Sequence, residues 1–62
     1  MTTVMTLDQV AEFLHVHPST VYRLLKEKRI PAFKVGSDWR FNMDSIEKWV
    51  RKLETAQEPD HS

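Results

Sequence analysis

Six of the nine Lys and Arg side chains fall between positions 18 and 43: Arg23, Lys26, Lys28, Arg29, Lys34 and Arg40. Only Glu27 and Asp38 oppose them there. The segments before and after each carry an excess of two acids, so the chain sums to zero. A basic centre between acidic flanks suits a polyanion met by one face, and an unevenly charged solvated surface is the plainer reading. Other chemistries have less to work with. Without cysteine there is no thiolate nucleophile, no disulfide and no cysteine zinc site. His15-x-His17 with His61 lacks a third nearby ligand for a metal. Asp8, Glu12 and Glu47 sit on helix surfaces with no nucleophile partner and read as caps and as charge that keeps the chain in solution. No catalytic residue, metal, cofactor or small-molecule ligand is therefore expected. A chain of 62 residues, one small domain, leaves little room for a substrate cleft, so no enzymatic activity is expected either.

No apolar run exceeds two residues, which predicts no membrane span. The first basic residue is Arg23, so no secretory signal is expected, and the cytoplasm is the expected compartment.

The elements that must position the basic residues follow from apolar spacing. Thr6-Leu7-Asp8-Gln9 reads as a capping box, with Met5 and Val10 at the staple positions. Leu7, Val10, Ala11 and Leu14 then repeat as one helical face, which predicts a helix over about 7–14. Pro18 suits the first position of a second helix, about 18–27, with His17 as its N-cap and Val21, Leu24 and Leu25 as its buried stripe. Ile30-Pro31 ends it. Ala32–Val35 and Trp39–Phe41 alternate around Gly36-Ser37-Asp38, which predicts a two-stranded antiparallel hairpin over about 32–41. With that loop, Phe33, Val35, Trp39 and Phe41 share one face and Lys34 and Arg40 the other. Trp39 and Trp49 are expected in the core. Asn42 can cap a third helix, about 43–54, whose face is Ile46, Trp49, Val50 and Leu53. The polar stretch 55–62 is expected to be a disordered tail.

Helix, short turn, helix, hairpin, helix is the order of a mainly α domain with a small wing. Two short helices joined by so brief a turn are the helix-turn-helix signature. At 100° per residue, Ser19, Arg23 and Lys26 lie opposite Val21, Leu24 and Leu25, and Thr20 and Tyr22 flank them. Ser19 and Thr20 fall at the helix N-terminus, where a groove-docked helix reaches base edges. Arg23 can grip guanine or a phosphate, and Lys26 suits a phosphate. Tyr22 offers a ring and a hydroxyl. On the hairpin, Lys34 and Arg40 are the expected backbone or minor-groove contacts.

At this point the chain resembles a known family. Val10-Ala11-Glu12-Phe13-Leu14-His15-Val16-His17-Pro18-Ser19-Thr20-Val21-Tyr22-Arg23-Leu24-Leu25 is similar to the opening of the excisionase-type, MerR-like helix-turn-helix domains. Ile30-Pro31-Ala32-Phe33-Lys34-Val35-Gly36 resembles their wing entry. Trp39-Arg40-Phe41, with Ile46 and Trp49 after it, resembles the wing exit and closing helix. The likeness covers about residues 5–54. It implies a winged helix-turn-helix, order α-α-β-β-α, that binds double-stranded DNA. Members of the family serve as transcription regulators, as excisionases, or as modules of larger regulators. Carried over to this sequence, the family's contacts are Ser19, Thr20, Tyr22 and Arg23 on the second helix and Lys34 and Arg40 on the wing. The chain departs from the pattern in three places. His15 and Lys28 stand where members often have glycine, and Ser37-Asp38 replaces a wing tip that is often basic.

The resulting expectation is a sequence-specific binder of duplex DNA, acting in transcription regulation or as an accessory factor in recombination. One module covers little DNA, so further copies on adjacent sites or a recombinase are expected as partners. The alternative is a protein-interaction module that uses the same scaffold to bind a recombinase or another regulator.

Overall fold

The computed structural model describes residues 3–56. Its elements run β1 (Val4–Met5), α1 (Leu7–Leu14), α2 (Pro18–Lys26), β2 (Phe33–Val35), β3 (Asp38–Asn42) and α3 (Met43–Ala56). This is the winged helix-turn-helix architecture, with one strand more than the sequence indicated. Two residues are too few to show alternation, so β1 is visible only through its partner. It pairs antiparallel with β3, Val4 opposite Asn42 and Met5 opposite Phe41, which gives the sheet order β1-β3-β2.

Local chemistry sets the helix starts. The Thr6 hydroxyl accepts from the Gln9 N–H at 3.2 Å, and Gln9 Oε1 accepts from the Thr6 N–H at 2.9 Å, closing the capping box. Asn42 Oδ1 accepts from the Ser45 N–H at 3.2 Å and caps α3. The Met43 N–H donates to the Thr3 carbonyl at 2.9 Å, tying the start of α3 to the residue before β1.

Helix ends differ from expectation by one or two residues. Glu27 is the C-cap of α2 and not a helical residue. α3 continues past residue 54 through Ala56, with the Thr55 hydroxyl donating back to the Arg51 carbonyl at 3.1 Å. Thr55 and Ala56 are thus helix and not tail. The remainder of the expected tail, 57–62, lies outside the described residues.

The core is Met5, Val10, Ala11, Val21, Leu25, Ile30, Phe41 and Ile46. Phe41, Ile46, Val10 and Val21 are fully buried. Leu7, Leu14, Leu24, Trp49 and Val50 pack around them. Every element except β2 thus contributes a side chain to the core or its margin.

The wing register corrects the expected faces. Val35 pairs with Asp38, Lys34 with Trp39 and Phe33 with Arg40. The loop is the two residues Gly36 and Ser37, not the three that included Asp38. Gly36 has φ +64°, and Ser37 is not among the residues with positive φ. That pattern is the type II′ hairpin turn, which takes glycine at its first central position. Shortening a loop by one residue slips the register by one and sends each partner to the other face. Lys34 therefore shares a face with Trp39 and Phe41. Phe33, Val35, Asp38 and Arg40 share the opposite face, joined by Val4 and Asn42. The expectation that Lys34 and Arg40 share a face, with the four apolar residues on the other, does not hold. Trp39 is 38% exposed and stands outside the core, contrary to expectation, while Trp49 is half-buried against it.

Candidate nucleic-acid interface

The second helix is held by an unusual start and an unusual end. His17 caps its N-terminus through the imidazole: Nδ1 accepts from the Ser19 N–H at 3.1 Å and lies 2.9 Å from Ser19 Oγ. An accepting Nδ1 leaves the ring proton on Nε2. Pro18 occupies the first helical position, where its missing N–H costs nothing. At the far end, the Lys28 N–H donates to the Leu25 carbonyl at 3.0 Å and the Arg29 N–H to the Leu24 carbonyl at 2.9 Å. These two bonds form a Schellman motif, with Lys28 left-handed at φ 57°.

α1 ends the same way. His15, at φ 59° and ψ 43°, donates to the Glu12 carbonyl at 3.2 Å, and Val16 donates to the Ala11 carbonyl at 2.9 Å. The two departures from glycine thus occupy the two left-handed caps, one in the turn between the helices and one after α2. The turn geometry survives because the paired cap bonds fix it despite the steric cost of a Cβ.

With Val21 fully buried and Leu25 nearly so, α2 is fixed against the body by one stripe. Its opposite side carries Ser19, Arg23 and Lys26, all exposed, flanked by exposed Tyr22 and half-buried Thr20. Tyr22 is 53% exposed, and the Lys26 ammonium sits 5.5 Å from the centre of its ring. That distance is within cation–π reach, so the ring restrains the lysine on the helix surface. Among the described residues, neither Arg23 nor Lys26 enters an ion pair; the pairs present join Arg29 to Glu27 and Arg40 to Asp38. Five of the sequence-nominated residues therefore lie along one exposed side of one helix.

The wing nominees separate. Lys34 lies on the face turned toward the body, with its ammonium 5.5 Å from the Trp39 ring centre. Arg40 lies on the outer face. Its guanidinium donates to the Trp39 carbonyl at 2.7 Å and reaches Asp38 at 4.0 Å. Trp39 is a residue that sequence reasoning assigned to the core. Trp39 keeps the face of Phe41 in either register; the Gly36-Ser37 pair, a two-residue hairpin turn in its own right, signals only that Lys34 lies opposite it. Its ring lines a groove with Leu25, Lys28, Ile30, Pro31 and Ala32, between the C-terminal end of α2 and the wing.

Among the described residues no group of three His, Asp or Glu side chains is placed to hold a metal ion, and His61 lies outside them. No helix among them is long and apolar enough to cross a membrane.

Comparison with known proteins adds the family. No curated protein and no solved structure matches the chain. A family model described as a helix-turn-helix domain matches residues 4–54, from β1 to within two residues of the end of α3. Such domains point to DNA as partner, and the observed α1-turn-α2 unit with its wing has the form the match requires. By that match over most of its length, this chain belongs to the helix-turn-helix domain family.

Proposed function

We propose that this protein binds double-stranded DNA at specific sequences, with α2 in the major groove and the wing along the neighbouring backbone. The observation that carries the reading is the exposed, cationic side of α2, without an ion pair among the described residues, on a helix locked to the body by Val21 and Leu25. A major groove about 12 Å wide admits one helix. Ser19 and Thr20 at its N-terminus and Arg23 one turn later meet base edges, Arg23 by a two-pronged bond to guanine. Lys26 and the Tyr22 hydroxyl meet phosphates. Lys34 adds a phosphate contact from the wing. Arg40 is on the other face, where it braces the wing through the Trp39 carbonyl and Asp38. The protein acts by binding and not by catalysis, as a transcription regulator or a recombination accessory factor.

One such module covers little DNA and binds weakly alone, so copies occupy adjacent sites. The outer face of the sheet favours a protein contact of this kind: Val4, Phe33 and Val35 stand there 51%, 40% and 57% exposed.

Binding to duplexes selected from a random pool tests the reading. With Lys26 and Lys34 each neutralising a phosphate, log K falls against log salt with a slope of about −1.8. A slope near zero, or a pool that yields no preferred sequence, contradicts it.

A further inference from the structure

We propose that the groove between α2 and the wing is a binding site for one sugar-phosphate strand of the duplex, with Trp39 as its wall. The inference rests on the DNA-binding reading and adds to it a site and a residue. Leu25 and Ile30, each 7% exposed, form an apolar floor. Trp39, 38% exposed, completes the lining from the wing. Lys28 contributes to the lining from the left-handed turn after α2, and the Lys34 ammonium lies against the Trp39 ring. Among the described residues, no acidic side chain lines the groove. Apolar surface between two cations matches a chain that alternates deoxyribose with phosphate.

Geometry argues for the same occupant. Major and minor grooves of a duplex are separated by one backbone strand. A protein with α2 in the major groove and its wing beyond must accommodate that strand between them, which is where this groove lies. Bases inside a duplex are stacked and closed to the ring, so the sugar is what Trp39 meets. The ring also restrains Lys34 near the phosphate path, so less rotamer freedom is lost on binding than for a free lysine.

Covering the exposed part of an indole, on the order of 60 Å², corresponds to about a tenfold gain in affinity. Trp39→Ala therefore weakens binding about tenfold on every duplex alike and leaves base preference unchanged. Lys34→Met lowers the magnitude of the salt slope by about one.

The decisive experiment uses the chain's two tryptophans. Trp49→Phe leaves Trp39 as the sole tryptophan, excited at wavelengths that Tyr22 does not absorb. Its quenching by acrylamide is measured with and without a labelled 20-base-pair duplex, whose anisotropy reports binding independently. A severalfold fall in quenching on the bound duplex is expected. Binding with unchanged quenching overturns this inference and leaves the DNA reading standing; no binding to any duplex overturns both. Equal protection by a poly-glutamate peptide overturns the assignment to DNA backbone. If Trp49→Phe does not fold, the Trp39 indole N–H resonance of the unaltered protein, assigned by its loss in Trp39→Phe, replaces the emission. A shift on adding duplex supports the site. A resonance that stays put while α2 amides move overturns it.

Discussion

The helix-turn-helix half and the wing half respond differently to the same small uncertainty. α2 ends one residue earlier than apolar spacing indicated, and no side chain changes face as a result. On a helix the face depends on a residue's own angular position, not on where the helix stops. In the wing, one residue moved from loop to strand turned β2 over, sending Phe33 and Val35 to the outer face and Lys34 to the inner, and so separated Lys34 from Arg40. Side-chain direction in a hairpin depends on register, and register depends on the count of loop residues. The half proposed to read bases is thus the robust half, and the half proposed to flank the backbone is the sensitive one.

The strongest test of this contrast compares two phenylalanines in the wing. Phe41 is fully buried on the inner face, and Phe33 is 40% exposed on the outer. Phe41→Ala should cost about 3–5 kcal/mol, against a total stability of about 3–9 kcal/mol for a chain this size. Urea unfolding followed by circular dichroism should show it largely unfolded. Phe33→Ala should cost well under half as much. Similar losses would mean the two rings share a face and the register is wrong.

Next in size is Arg23→Ala, expected to lose about 1–3 kcal/mol on the selected duplex and far less on random DNA. Equal loss on both would move Arg23 from bases to backbone.

At the N-terminus of α2, His17→Ala should cost about 1 kcal/mol of stability, and His17→Asn should restore it, since asparagine is a strong N-cap. If both variants melt with the parent, the imidazole bond to the Ser19 N–H contributes nothing.

The smallest effects concern the wing cations and the left-handed caps. Lys34→Ala should reduce the salt slope by about one, while Arg40→Ala should leave it within error. The reverse result would return Arg40 to the interface. His15→Gly should raise stability by about 1 kcal/mol or less, because glycine removes the Cβ conflict while adding freedom to the unfolded chain. A melting temperature that falls would show that His15 makes a contact worth more than its strain.

Much of this was legible from residue types. Thr6 with Gln9, Asn42 and His17 announced three helix starts, and each makes the bond its position called for. The exposed side of α2 followed from Val21 and Leu25 alone. What escaped depended on partners distant in sequence. Val4–Met5 becomes a strand only because β3 lies beside it. Trp39 looked like core because a large apolar ring on an alternating segment usually is. Its position beside Lys34 and Lys28 required both the turn length and the packing of the wing against α2.

The central claim is that the exposed side of α2 reads duplex DNA with the wing beside it, and amide shift mapping during titration with a selected duplex tests it most directly. Shifts should concentrate at residues 18–26 and 34–39, with α3 unmoved. Shifts confined to α3, or a spectrum unchanged at saturating duplex, would contradict it.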